Sequence, residues 1–290
     1  MPPLLVLQVT PRLLSGRANG GSIGQNHGVV ERPARCHKQR MTVEVRRVVV
    51  PETFEATLVE ARLVTPRVRE LIFERVDGKP FSFQSGQWVS LVLPLVDEKD
   101  RPLRRSYSIA SVPSPGPRFE LVVTRVDEGR GSTWLHEMTV GTSLEVKGPQ
   151  GMFQRAADAG PSLFVATGTG VAPFRGMIHD ALATGGTTPL WVLFGVRAPA
   201  DALYREEFEA LEKTNPRLRF MLSMSRPPDD WTGYRGYVQT HVLDLWSQLS
   251  EHGRPEAYVC GVKKMLLEVR QVLKTHGFAE RAQLHLESYD

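Results

Sequence analysis

Cysteine is scarce in this chain: two in 290 residues, Cys36 and Cys260. Two thiols cannot build a disulfide framework. Nor can they supply the four closely spaced thiolates of a plant-type [2Fe–2S] cluster, so such a cluster is excluded within this chain. A reducing compartment is the default reading. Long apolar runs are missing as well. None approaches the ~18 residues that a membrane-spanning helix needs, so no membrane span is expected. No cluster of side chains has metal-ligand spacing. Excess charge of one sign is lacking once the chain is divided. The net charge is +4, but six of the 36 basic residues and one of the 32 acidic residues, Glu31, lie in residues 1–40. The remainder holds 30 basic against 31 acidic residues, which does not make a nucleic-acid footprint.

What is present is the composition of a globular protein, 41% hydrophobic and 23% charged, with length enough for two domains. Residues 1–42 stand apart. They are rich in Gly, Arg and Pro and show no sustained helical or strand period. They are expected to be a disordered extension, or an upstream start with translation from Met41. An organellar transit peptide is the competing reading, because the segment contains arginine and almost no acid. Its amphipathic pattern is poor, and Leu4–Leu7 is too short for the core of a secretory signal. The cytoplasm is the expected location.

From residue 43 to 155 the pattern is that of short strands. Ala56–Thr65, Val68–Glu74, Gln87–Leu93, Arg105–Ala110, Phe119–Val126 and Ser143–Lys147 are separated by turn residues. One helix, Thr133–Met138, interrupts them. Such strands predict an antiparallel barrel or sandwich. From 156 to 290 the period changes. Apolar runs at Ser162–Ala166, Leu190–Phe194, Arg219–Ser223 and Ala257–Cys260 alternate with helical segments at Phe174–Leu182, Tyr204–Lys213, His241–Leu249 and Lys263–His276. This predicts a parallel sheet with helices on both faces. The closing alternation, Gln283–Asp290, suggests a final strand.

Several segments carry residues suited to chemistry. Arg105-Ser106-Tyr107-Ser108 lies within a strand, whose alternation puts Arg105 and Tyr107 on one face and both serines on the other. An arginine fork suits phosphate and an aromatic face suits a flat ring. The ordinary alternative is an edge charge beside a core aromatic. Gly129-Arg130-Gly131-Ser132-Thr133 precedes a helix, where unpaired N–H groups favour a pyrophosphate; Ser132 or Thr133 as a simple N-cap is the alternative. Thr167-Gly168-Thr169-Gly170-Val171-Ala172-Pro173 follows a strand and opens a helix, as phosphate-binding turns do. It is not the Gly-x-Gly-x-x-Gly fingerprint, because Pro173 stands at the third glycine. Cys260-Gly261 ends a strand, where a lone buried cysteine is usually only a small apolar residue.

Together and in this order, these segments resemble the ferredoxin–NADP+ reductase family over about Val43–Asp290. The specific parts are Arg105–Ser108, Gly168–Phe174, and Cys260-Gly261 with the tail Glu287-Ser288-Tyr289. The tail looks like the plastid type, with one further residue, Asp290. The resemblance implies an FAD-binding antiparallel β-barrel at 43–155 and a Rossmann-like α/β domain for NAD(P) at 156–290. It implies that Tyr107 stacks on the flavin, Arg105 binds the FAD pyrophosphate and Ser108 bonds near N5. Gly131, Ser132 and Thr133 would cradle that pyrophosphate. Thr167 to Gly170, Ala172, Pro173 and Gly261 would line the nicotinamide nucleotide, with Cys260 by the nicotinamide. Tyr289 would cover the opposite flavin face, and Glu287 would handle charge or protons.

The activity implied is electron exchange between NADP(H) and a one-electron carrier such as ferredoxin or flavodoxin, by hydride transfer at flavin N5. Ser225-Arg226 and Arg235-Gly236-Tyr237 resemble the family's NADP pattern, with both arginines on the 2′-phosphate and Tyr237 on adenine. Solvated arginines are the ordinary alternative, and Asp229 or Asp230 could oppose a phosphate. Two other readings stay open: an NADH-dependent reductase component of a multicomponent oxygenase, and a flavin- or nucleotide-binding subunit without turnover of its own. Arg67, Arg69, Lys99, Arg101 and Arg104 are candidates for docking an acidic carrier, against the usual reading of a solvated face.

Overall fold

In a computed structural model, which describes residues 51–275 and 280–289, the alternating segments pair as an antiparallel sheet. Residues 1–42, the expected extension, lie outside the described residues, as do 43–50, His276 and Asp290. The strands are β1 (Glu52–Thr65), β2 (Val68–Arg75), β3 (Trp88–Val96), β4 (Pro102–Ser108) and β5 (Arg118–Thr124), followed by helix α1 (Arg130–Glu137) and β6 (Ser143–Gln150). Their order is β4-β3-β6-β1-β2-β5. Period-2 alternation turns Phe54, Ala56 and Leu58, Leu71 and Phe73, Val89 and Leu91, and Phe119 and Leu121 into one core. The sheet curls until its edges meet: just past β4, the Ala110 N–H donates to the Glu120 carbonyl of β5 at 2.8 Å.

The boundaries differ from the sequence reading in instructive ways. Helix α1 starts at Arg130, three residues earlier than its apolar pattern suggests, with Gly129 as N-cap and no side-chain cap. Ser132 and Thr133 lie inside the helix, so neither is the cap. The Ser132 hydroxyl instead donates to the Gly129 carbonyl and accepts the Val126 N–H. The far end of α1 is closed from another strand. The Arg69 guanidinium donates to the carbonyls of Leu135, His136 and Met138 at 2.9, 2.8 and 2.9 Å, satisfying acceptors that a helix C-terminus leaves open.

The second half holds β7 (Ser162–Thr167), α2 (Ala172–Ala183), β8 (Leu190–Val196), α3 (Arg205–Thr214), β9 (Leu218–Met224), β10 (Tyr234–Arg235), α4 (Val242–Ser250), β11 (Glu256–Gly261), α5 (Lys263–Lys274), α6 (Glu280–Gln283) and β12 (Leu284–Ser288). Its strands are parallel, in the order β10-β9-β8-β7-β11-β12. The two-residue β10 was not legible as a strand. Both faces of the sheet are covered. Phe174, Ile178 and Phe208 of α2 and α3 pack on Phe164, Val192 and Phe194, while α4 and α5 pack on Leu163, Val165 and Val259. Strands buried on both faces read as continuous apolar runs, as these do. The chain leaves β7 for β8 on one side and returns to β11 on the other. That reversal opens a crevice at the carboxyl ends of β7 and β11, where open parallel sheets bind ligands. Among the described residues, no helix is long and apolar enough to cross a membrane.

Candidate functional site

Four residues far apart in the chain meet at that crevice. β11 pairs with β7 and β12 so that Ala166, Cys260 and Glu287 lie in one row. The Glu287 carboxylate accepts the hydroxyl of Ser108, the last residue of β4, at 2.7 Å. The two sheets are thus joined at this point. Tyr289 follows β12, and its hydroxyl donates to the Thr169 carbonyl at 3.1 Å while the residue keeps 40% of its surface exposed.

Burial sets the electrostatics. Cys260 is fully buried. Burial, and then the charge of Glu287, push its thiol well above the usual range. It therefore presents a neutral sulfur and not a nucleophilic thiolate. Burial also raises the Glu287 carboxyl, and the Ser108 hydrogen bond opposes that rise.

The turn after β7 is shaped by close approach. A Cβ on Gly170 would lie 2.1 Å from the Cys260 carbonyl oxygen, and one on Gly261 2.3 Å from Thr167 Oγ1. Gly168 adopts φ +55°, a left-handed conformation that glycine takes at no steric cost. Thr167 Oγ1 is buried with no hydrogen-bond partner among the described residues. A buried hydroxyl left unpaired fits a site completed by a polar ligand. Ala172 and Pro173 open α2, where a proline costs no helix bond.

On the antiparallel side, α1 points its first turn at Arg105. A Cβ on Gly131 would lie 3.0 Å from Arg105 Cγ and 3.3 Å from its Nε, so the glycine lets the helix end and the arginine side chain pack closely. Arg105 is exposed, and its guanidinium donates to the carbonyl of its neighbour Arg104 at 2.8 Å. A guanidinium without an ion pair among the described residues, beside a helix N-terminus, suits a pyrophosphate. Tyr107 is half-buried against the barrel core. Burial pushes its phenol up to about 12, so it remains neutral and offers a ring face.

Past the carboxyl ends of β8 and β9, two rungs extend the pairing: the Ser225 N–H donates to the Val196 carbonyl, and the Arg226 N–H to the Arg197 carbonyl at 2.8 Å. Arg197 and Arg226 are thereby anchored side by side, both exposed. Neither guanidinium has an ion pair among the described residues. Arg235 is different. One of its amino groups donates to the carbonyls of Pro228, Asp229 and Trp231 at 3.3, 3.0 and 2.8 Å, so it holds its own loop. Tyr237 is 67% exposed. Arg197 was not singled out in the sequence; its signal was a basic residue directly after the apolar strand β8, as Arg226 lies two residues after β9.

The expected carrier-docking residues divide as well. Arg69 closes α1, Arg67 pairs with Asp127 at 2.6 Å, and Arg101 pairs with Asp97 at 2.7 Å. Lys99 and Arg104 have no such partner among the described residues. An open groove of about 930 Å³ lined by Trp191, Arg219 and His252 lies at the opposite, amino-terminal edge of the parallel sheet and touches none of these residues.

Comparison with known proteins matches residues 55–155 to the oxidoreductase FAD-binding domain and residues 164–271 to the oxidoreductase NAD-binding domain. The chain is 46% identical over 243 residues to ferredoxin–NADP reductase B of Sorangium cellulosum, covering 82% of this chain and 98% of that protein. It is 30% identical to the phenol hydroxylase P5 protein of Acinetobacter pittii, covering 82% of this chain and 66% of that one. Among solved structures, the cytochrome P450 reductase GcoB of Amycolatopsis aligns with a TM-score of 0.72 at 26% identity, over 86% of this chain and 73% of that one. A ferredoxin NADP+ reductase from Neisseria gonorrhoeae shares the fold with a TM-score of 0.70 at 19% identity, over 82% and 99%.

Proposed function

The chain belongs to the ferredoxin–NADP reductase family, an FAD- and NAD(P)-binding oxidoreductase, and from that premise we propose that it passes electrons between NADP(H) and a one-electron carrier protein of the ferredoxin or flavodoxin type. The observation that carries the reading is the 2.7 Å bond from Ser108 to Glu287. It brings a group of the FAD-binding half and a group of the NAD-binding half to one point, beside Cys260.

Bound FAD supplies hydride acceptance at N5 and release of electrons one at a time. The rest falls to this chain's residues. Arg105 with Gly131, Ser132 and Thr133 holds the FAD pyrophosphate, and the neutral ring of Tyr107 stacks on the flavin. Thr167 to Gly170, Ala172, Pro173 and Gly261 receive the nicotinamide nucleotide. Cys260 keeps a dry, uncharged surface at the nicotinamide. Ser108 orients Glu287, which holds a proton or a negative charge at the reacting centre. Tyr289, held by its hydroxyl to the Thr169 carbonyl, would cover the flavin ring and give way to nicotinamide. Residues 43–155 and 156–290 serve as the two cofactor-binding domains, in the cytoplasm.

The test is direct. The purified protein is expected to be yellow, and anaerobic NADPH to bleach it much faster than NADH. A protein that takes up no flavin when FAD is supplied would overturn the reading. Faster bleaching by NADH would favour a reductase component of an oxygenase. That alternative has support in the exposed Asp229 and Asp230, two carboxylates in the loop after Arg226 that would oppose a 2′-phosphate bound there.

The arginines make a sharper prediction. Arg197→Ala and Arg226→Ala are each expected to weaken NADPH binding about 10-fold or more and to spare NADH, since a hydrogen bond to a charged group is worth ~1.5–3 kcal/mol. Arg235→Ala is expected to weaken both nucleotides alike, because it loosens the loop. Titration of each variant with both nucleotides checks the pattern, and loss of NADPH preference in Arg235→Ala alone would assign the clamp to Arg235 instead.

A further inference from the structure

Helix α2 is fastened to the antiparallel sheet by polar contacts that the proposed electron path does not itself use. Arg175 Nη1 donates to Glu120 of β5 at 2.5 Å and to the Ala110 carbonyl at 3.3 Å. Its Nε donates to both carboxylate oxygens of Glu207 on α3 at 2.9 Å. The Tyr204 ring lies beneath the guanidinium, 4.7 Å away, on a residue held at φ 55°. His179 Nε2 meets Glu207 at 2.7 Å. Farther along α2, Asp180 accepts the Ser85 hydroxyl at 2.6 Å, and a Cβ on Gly176 would lie 2.5 Å from that same hydroxyl.

The guanidinium sits between two short, stiff arms. On the barrel side, Ala110 is two residues beyond Ser108 and is itself bonded to the Glu120 carbonyl at 2.8 Å. On the other side, α2 grows directly from the turn in which Gly170 lies on the Cys260 carbonyl. The cluster is half-buried, with Arg175, Glu120 and Glu207 keeping 20%, 26% and 27% of their side-chain surface. Ion pairs in such settings add little net stability, because desolvation offsets the attraction; what a forked arginine bound to two carboxylates does supply is a fixed geometry. Burial alone would raise the Glu207 carboxyl, but the bonds from His179 and Arg175 outweigh it and hold the group below its ordinary value.

We propose that Arg175 is a positioning residue for hydride transfer: bridging Glu120 and Ala110 to Glu207, it sets the distance between Ser108 on one sheet and Cys260 and Glu287 on the other. The proposal rests on the functional reading above. Hydride transfer is steep in distance, and a misplacement of about 1 Å can cost on the order of 100-fold.

Glu120→Gln, Arg175→Gln and Arg175→Lys test it with two readouts. In the flavin-loaded protein, the two glutamine variants are expected to lower the limiting rate of flavin reduction ~10-fold or more with nucleotide Kd little changed, and the lysine variant to recover part of the loss. In the protein as purified, amide hydrogen exchange is expected to rise together in residues 108–111 and 168–171. A lower melting temperature with limiting rate and exchange both unchanged would reduce the cluster to a structural role and overturn the proposal. If neither nucleotide reduces the wild-type protein, the functional reading fails separately. Exchange then still decides whether Arg175 couples the two segments, and unchanged exchange overturns the proposal.

Discussion

Gly170→Ala is expected to leave the protein yellow and to lower its reduction by nicotinamide nucleotide by about 100-fold or more. The added Cβ would stand 2.1 Å from the Cys260 carbonyl oxygen, 2.6 Å from its carbon and 2.9 Å from Gly261 Cα. All three are backbone atoms, so no side chain can swing away. Either the turn after β7 or the end of β11 must shift, and these are the two segments that line the crevice. Overpacking of this kind costs ~1–3 kcal/mol of stability, which a domain of this size tolerates. The residues proposed to hold FAD lie on β4 and α1 and feel no such contact. Gly116→Ala is the matched control, since a Cβ there meets nothing within 4 Å. Stopped-flow reduction of both variants, alongside their visible spectra, checks the contrast. Normal reduction in Gly170→Ala would remove the turn from the nicotinamide site.

The rate of flavin reduction is expected to vary with pH along an ionisation of Glu287 above the ordinary glutamate value of 4.5. Burial raises this carboxyl, and the Ser108 hydroxyl, which donates to the carboxylate, holds it down. Removing that donor in Ser108→Ala should therefore move the ionisation further up. Glu287→Gln should abolish it. The stability linkage has the same origin. A carboxyl whose folded value is raised binds its proton more tightly in the folded state. Its contribution therefore favours the fold below 4.5 and is lost as pH rises through the folded value. A pH profile of the limiting rate in wild type and both variants decides the matter. An ionisation that survives Glu287→Gln unchanged would belong to another group.

Much of the site was legible because local periodicity carries it. Alternation in Arg105–Ser108 separates Ser108 from Tyr107. An apolar run followed by a small-residue turn marks the carboxyl ends of β7 and β11, and the tail alternates as a strand should. These patterns act over a few residues, where chain stereochemistry is the dominant constraint. Helix α1 shows where this fails: its first turn is polar and glycine-rich, so its start at Arg130 left no periodic signal.

The arginines mark the wider limit. In the sequence, Arg69, Arg175, Arg197, Arg226 and Arg235 are alike, each a long side chain beside a strand, helix or turn. Their partners separate them. Arg69 reaches carbonyls 66 to 69 residues away, Arg175 a carboxylate 55 residues away, and Arg235 folds back on its own loop. The sequence by itself determined two sheets, their strand patterns and the residue types at each crevice-lining turn, because backbone period and turn chemistry are local. Only the tertiary structure decided which of these charges are consumed by the fold and which stay exposed. It alone set Ser108 against Glu287 across 179 residues, because such pairings depend on how sheets pack and not on any spacing along the chain.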